Sequence, residues 1–263
     1  MAPDFETLRQ FAHTLADAAR AVTLAHRPPG SNVVDKNAGG LFDPVTEADR
    51  QAEQVLRGLI EARFPDHGIS GEEFPDRPGS GGLSWSLDPI DGTRSFICGL
   101  PTWTTLIALL QDGRPILGVI DAPRLGERYL GLAGAAVLTG SDGTETRLKA
   151  SGCTRLAQAR MATTDPFLFE GPEAESFDRL RCGSMTQRYG QDAYAYARLA
   201  AGSIDLVVES QLKPHDYNAL IPVVRGAGGV VTDWRGGSDF SDGRLVAAAT
   251  RELLDEALAL LDA

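Results

Sequence analysis

Residues 86–96 read SLDPIDGTRSF. An apolar approach ends in two aspartates three positions apart, Asp88 and Asp91, with Pro89 between them and Gly92-Thr93 directly after. Proline and glycine exclude a continuous helix, so a short strand over 83–87 is expected to run into a turn. Two readings are open: a tight acidic turn, or two carboxylates held around a positive charge. In the second, Pro89 fixes the backbone, so that both carboxylates and the Ile90 carbonyl can converge on neighbouring ions. Gly92 then permits a sharp turn, and the amides of Gly92 and Thr93 can meet a phosphate at a helix start.

Upstream, Leu8, Phe11, Ala12, Leu15, Ala18, Ala19 and Val22 recur at helical spacing and predict a helix over 5–26, ended by RPPG at 27–30. NAGG at 37–40 reads as a loop. A second helix is expected over 46–64, with Ala48, Ala52, Val55, Leu56 and Leu59 on one face and Pro65 as its stop. GEEF at 71–74 falls in a loop, and a Gly/Ser/Pro segment follows at 78–82. Downstream, TTLIALLQDGRPILGVID (104–121) predicts two strands joined around Asp112-Gly113, with further short strands near 128–132 and 144–149. Then the pattern alternates: strand 159–163, helices near 173–181 and 191–201, strand 204–209, helix 215–226, strands 229–233 and 244–249, and a helix over 251–261. Hairpins followed by alternation predict an antiparallel-rich α+β half over 1–145 and an α/β half over 146–263, sharing one body.

The 263 residues are 43% hydrophobic, which excludes a disordered chain. No apolar run approaches the roughly 20 residues that span a bilayer, so no membrane partner is expected. MAPDFETLRQF lacks the basic-then-apolar order of a secretory signal. Cys98, Cys153 and Cys182 are widely spaced with no C-x-x-C, which argues for a reducing compartment, the cytoplasm, and for packing as small apolar residues. A net charge of −11 disfavours nucleic acid as a partner. It also opposes anionic substrates, unless bound cations reverse the local sign.

Three further acidic stretches have ordinary explanations when taken singly. Thr46-x-x-Asp49 in DPVTEAD is a helix capping box. Glu72-Glu73 is a loop pair of the kind usually solvated. Asp216, in Pro214-His215-Asp216, is an acid at a helix start. Together, Glu72, Asp88, Asp91 and Asp216 place carboxylates at loops and element ends, the oxygen ligands that a hard divalent ion such as Mg²⁺ requires.

In that order and at those distances, DPVTEAD, GEE, DPIDGT and HDYNALIPVVRGAGG resemble the inositol monophosphatase family of Mg²⁺-dependent, Li⁺-sensitive phosphomonoesterases. The resemblance covers nearly the whole chain. It implies an α/β fold, a layered αβαβα sandwich of two abutting halves with two or three Mg²⁺ at their junction, and a homodimer. It implies that Glu72, Asp88 and the Ile90 carbonyl hold a first metal, that Asp88, Asp91 and Asp216 hold a second, and that Glu72 helps with a third. Asp49, Thr93 and Glu72 would carry catalysis, Thr93 and Asp49 as the pair that orients and deprotonates the attacking water. The implied substrate contacts are Asp91, Gly92, Thr93, Asp192, Glu209 and Asp216, with the phosphate on the amides of Gly92 and Thr93. Glu73 matches the second acid of the family's GEE motif, and Lys36 a lysine in its metal-side loop.

Residues 188–217, RYGQDAYAYARLAAGSIDLVVESQLKPHDY, align with the family's substrate side. Glu209 stands where relatives set an acid against substrate hydroxyls or amines. Asp192 reads equally as an N-cap or as a site residue. Two acids facing the pocket favour a substrate with positive charge beside its phosphate. L-histidinol phosphate, hydrolysed to L-histidinol and phosphate in histidine biosynthesis, fits this best. RSF after DGT and LKP before the last aspartate also resemble the histidinol-phosphatase branch. The alternatives are inositol-1-phosphate, another small polyol or nucleotide phosphate, and, in a different class, a catalytically silent regulatory binding module. His215, where relatives carry Trp or Tyr, either packs as an aromatic or contacts substrate or a neighbouring ligand.

Overall fold

In a computed structural model of the protein, residues 4–26, 34–35 and 44–261 are described. The segments 27–30 and 37–40 and Lys36 lie outside them. Asp4 caps helix α1 (Phe5–Ala25) by accepting from the Glu6 amide. Thr46 and Asp49 form the expected capping box at the start of α2 (Glu47–Arg63). Between them, β1 (Val34–Asp35) and β2 (Pro44–Val45) pair antiparallel.

Seven strands form the first sheet in chain order: β3 (Gly68–Gly71), β4 (Leu83–Asp91), β5 (Thr104–Gln111), β6 (Arg114–Ala122), β7 (Glu127–Leu132), β8 (Ala135–Thr139) and β9 (Glu145–Arg147). Only β3 and β4 run parallel; the rest of this sheet is antiparallel. A short helix, α3 (Thr93–Ile97), leaves the end of β4. The second sheet contains β10 (Arg160–Thr163), β11 (Thr186–Tyr189), β12 (Leu206–Glu209), β13 (Val230–Thr232) and β14 (Leu245–Ala248), in the order β11-β10-β12-β14-β13. It is parallel across β11, β10 and β12 and antiparallel beyond. The remaining helices are α4 (Pro172–Gly183), α5 (Asp192–Ala200), α6 (Pro214–Tyr217), α7 (Leu220–Gly226) and α8 (Arg251–Leu261).

Apolar faces set the layers. Leu8 and Leu15 of α1 and Leu56 and Ile60 of α2 bury against Trp85, Leu87 and Ile107 of the first sheet. α5 and α7 lie between the sheets, where Leu199, Val223 and Val224 pack with Leu106 and Ile120 on one side and Val207 and Ala247 on the other. α4 and α8 cover the outer face of the second sheet with Phe177, Leu180, Leu253 and Leu254. Each such side chain contributes about 1.5–3 kcal/mol on leaving water. The result is the αβαβα sandwich expected above. Among the described residues, no helix is long and apolar enough to cross a membrane.

Some local expectations are corrected. The helix expected over 215–226 is broken into α6 and α7. Pro222 has no N–H to offer the Asn218 carbonyl, so the hydrogen-bond ladder stops there. β4 continues past 87 to Asp91. All three cysteines are free thiols: Cys98 and Cys182 are exposed and do not pack as expected, whereas half-buried Cys153 packs against the core under α4 and α8.

Candidate active site and metal centre

Along β4 and β5, Asp88 pairs with Leu106 but Asp91 pairs with Thr104. Three steps on one strand therefore meet two on the other, a bulge at Pro89-Ile90. Residues three apart on a regular strand point to opposite faces; the extra residue brings Asp88 and Asp91 to the same side. A bulge is also where an inner strand tolerates a proline, because no ladder N–H is needed. The Thr105 hydroxyl secures the bulge by donating to the Pro89 carbonyl at 2.7 Å. α6 then brings in Asp216, and ligand oxygens of Asp88, Asp91 and Asp216 all lie within 4.8 Å of one another.

Several of these carboxylates are tethered through one oxygen. Asp91 Oδ2 accepts from the Ala193 amide in the first turn of α5 at 2.8 Å and from the Thr104 hydroxyl at 3.3 Å. Asp216 Oδ2 accepts from the Lys213 amide at 2.6 Å. Asp49 Oδ2 accepts from both the amide and the hydroxyl of Thr46. In contrast, Asp49 Oδ1 and Asp88 Oδ1 are buried with no hydrogen-bond partner among the described residues.

The electrostatics follow from crowding acids away from water. Burial, then the charges of Glu72, Asp91, Asp216 and Asp49, push the Asp88 pKa well above the usual carboxylate range. Burial and Asp192 do the same to Asp91, against the Ala193 bond. Burial raises Asp216, opposed by His215 and the Lys213 amide. Burial lifts Asp49 to about 7 despite its Thr46 bonds. Carboxylates that raise one another's proton affinity require a proton or a cation among them. An all-oxygen donor set with two orphaned buried oxygens fits a hard divalent ion such as Mg²⁺.

The GEE segment closes the site from β3. The Glu72 amide donates to the Leu87 carbonyl at 3.3 Å, extending the β3–β4 pairing, and Glu72 is the strongest charge acting on Asp88. Behind it stands a support that the sequence reading missed. Glu53, fully buried on α2, accepts from the Glu73 amide at 2.8 Å and from Arg57 Nε at 2.8 Å. Arg57 also donates to the Phe74 and Pro75 carbonyls. A Cβ at Gly71 would stand 2.2 Å from Glu53 Oε1, so only glycine lets this loop sit so close. The available signal was the i,i+4 spacing of Glu53 and Arg57 on a helix just before GEE.

Gly92, at φ +81°, turns the chain from β4 into α3. The Thr93 hydroxyl donates to the Ile90 carbonyl at 3.0 Å, so Thr93 and Asp49 each have their own partner and are not bonded to each other. Asp192 does not cap its helix. Gln191 is the N-cap, while Asp192, at φ +45°, bonds Ser95 across the site. Burial lifts Asp192 to about 6 against the pull of Arg94 and the Ser95 bond. A Cβ at Gly92 would stand 2.8 Å from Asp192 Oδ2. Glu209 is 2% exposed and held by the Thr164 amide, the Thr164 hydroxyl and the Thr163 hydroxyl at 2.8, 3.0 and 3.1 Å. Burial raises it to about 8, with Asp192 adding to the shift. His215 Nε2 lies 3.5 Å from Asp216 Oδ1, so it contacts a candidate ligand rather than only packing as an aromatic.

A bulged strand that gathers acids beside the start of a helix is suited to holding divalent ions and, with them, an anionic group. The chain is a member of the inositol monophosphatase family, which it matches over residues 4–263. It is 44% identical over 226 residues to the chloroplastic bifunctional phosphatase IMPL2 of Arabidopsis thaliana, covering 85% of this chain and 63% of that longer protein. It is 36% identical to a histidinol-phosphatase of Chlorobaculum parvum, covering 96% of this chain and 94% of the relative. An inositol monophosphatase from Zymomonas mobilis superposes with a TM-score of 0.84 at 37% identity, covering 99% and 100% of the two chains. The protein is accordingly a phosphoric monoester hydrolase acting on a small-molecule phosphate monoester.

Proposed function

We propose that the protein hydrolyses L-histidinol phosphate to L-histidinol and phosphate, as a step of histidine biosynthesis. The observation that carries this reading is the pair of acids beside the carboxylate cluster, Asp192, half-buried, and Glu209, fully buried. Both have raised pKa values, and Asp192 contributes to the shift at Glu209. Such a setting favours an alcohol portion that brings its own positive charge. The likeness to the Chlorobaculum histidinol-phosphatase supports it.

Glu72, Asp88, the Ile90 carbonyl, Asp91 and Asp216 would hold the metal ions. Held there, Mg²⁺ would supply charge to offset the phosphate oxygens, to acidify the attacking water and to stabilise the leaving alkoxide. The chain's own residues supply the rest. Asp49, whose buried Oδ1 has no partner among the described residues, would accept a proton from a water oriented by the Thr93 hydroxyl. The amides of Gly92 and Thr93 receive phosphate oxygens, and Asp192 and Glu209 face the leaving alcohol. From the family resemblance, we further propose a cytoplasmic, Li⁺-sensitive homodimer with two or three Mg²⁺ per site, built from halves 1–145 and 146–263.

A second reading, inositol-1-phosphate as substrate, is favoured by the Zymomonas structure, whose identity to this chain is comparable. The deciding experiment compares kcat/KM for histidinol phosphate, inositol-1-phosphate and 4-nitrophenyl phosphate with Mg²⁺. Histidinol phosphate is expected to lead inositol-1-phosphate by about tenfold or more, or about 1.4 kcal/mol of transition-state binding. The opposite ranking overturns the reading, and no phosphate release from any of the three returns the silent binding module.

A further inference from the structure

α5 serves the site from two successive turns. Its first turn supplies the Ala193 amide to Asp91 and the Asp192 carboxylate to Ser95. One turn on, at i+4 from Asp192, stands Tyr196, 2% exposed, with a buried hydroxyl that has no hydrogen-bond partner among the described residues. The charges acting on that hydroxyl are, in order, Glu209, Asp91 and Asp216. α5 packs on β10 and β12, the strands that carry Thr163 and Glu209. A tyrosine needed only to fill this space strands its hydroxyl, and phenylalanine would fill the same volume without that penalty.

Glu209 has capacity for the missing bond. Its Oε1 already accepts twice from Thr164, whereas Oε2 accepts only from the Thr163 hydroxyl. A carboxylate oxygen has room for about two donors. We propose that Tyr196 is a positioning residue for Glu209: its hydroxyl reaches Glu209 Oε2 across one bridging water, and completes with Thr163 and Thr164 a clamp on that carboxyl group. Glu209 is thereby fixed behind Asp192 on the leaving-alcohol side. The inference rests on the reading that Glu209 faces the alcohol portion of the substrate.

The test is Tyr196→Phe, with kcat and KM measured separately for the phosphomonoester the wild type prefers and for 4-nitrophenyl phosphate, together with the thermal midpoint in Mg²⁺. The expected result is a KM about tenfold higher for the preferred substrate, the scale of one buried hydrogen bond. kcat should stay within about twofold, the aryl phosphate KM should not move, and the midpoint should fall by only a few degrees, as for the loss of one hydrogen bond. Thr163→Val removes the other Oε2 donor and should produce the same selective change, which keeps the test decisive even where the tyrosine variant folds poorly. An unchanged KM for the preferred substrate, or equal changes for both substrates, overturns the role of Tyr196. A wild type that prefers inositol-1-phosphate overturns the histidinol reading instead, and the Tyr196 comparison is then made on that substrate.

Discussion

Replacing Asp88 with Asn separates what the acidic centre costs the fold from what it gives the reaction. Asp88 is 2% exposed, and its ligand oxygen lies within 4.8 Å of oxygens on Asp91 and Asp216. At that separation and an effective dielectric constant of about 20, one pair of like charges repels by about 3 kcal/mol. Protonation relieves part of this, as the raised pKa of Asp88 indicates. The isosteric amide should therefore stabilise the cation-free protein by about 1–3 kcal/mol, or roughly 3–10 °C in Tm for a chain of this size. With Mg²⁺ at about a hundred times its Kd the wild type should gain about 3 kcal/mol, a gain that D88N should largely lose together with phosphatase turnover. Calorimetric melting of both proteins in EDTA and in Mg²⁺ reads the two effects, which have opposite signs. A D88N protein that melts below the wild type in EDTA and still gains the full Mg²⁺ shift would refute the reasoning.

Three other outcomes are expected. In EDTA, stability should fall as pH rises from about 4 to about 8. Asp49 and Glu209, at about 7 and about 8 in the fold, retain protons that the unfolded chain has already released. Urea midpoints that rise across this range contradict it. Glu53→Ala breaks a buried ion pair with Arg57 and frees the Glu73 amide, so it should cost about 3–5 kcal/mol and weaken Mg²⁺ binding in a titration. An unchanged Mg²⁺ affinity would separate Glu53 from the site. Gly92→Ala forces a side chain into φ +81° beside Asp192 Oδ2, at a backbone cost of about 1–2 kcal/mol. It should raise KM more than it lowers kcat, and a purely thermal defect with unaltered kinetics would show that Asp192 had not moved.

The acids that meet in the centre could be read from the chain because each sits in a short motif whose order and residue types are chemically unusual. The layers were legible because α1, α2 and α8 carry clear apolar stripes and because strands and helices alternate in the second half. What escaped depends on partners distant in the chain. The bulge is a mismatch of register between β4 and β5, invisible in either strand alone, and it places Asp88 and Asp91 on one side. The Ala193 amide that tethers Asp91 is a backbone group with no sequence signature. Asp192 could not be assigned between cap and site until its φ and its Ser95 bond were known. β3, with two glycines in four residues, and the polar β11 lack strand composition and owe their form to a neighbouring strand.

The tether between Asp91 and the Ala193 amide spans 102 residues of chain. During synthesis Asp88 and Asp91 leave the ribosome early, while Asp216 follows only after β12 of the second sheet has been made. A growing chain thus carries an incomplete carboxylate set until Asp216 has been made. Tight capture of a divalent ion by this set would then come only when the second sheet docks, so the ion would reward a finished fold and offer no guidance to its beginning.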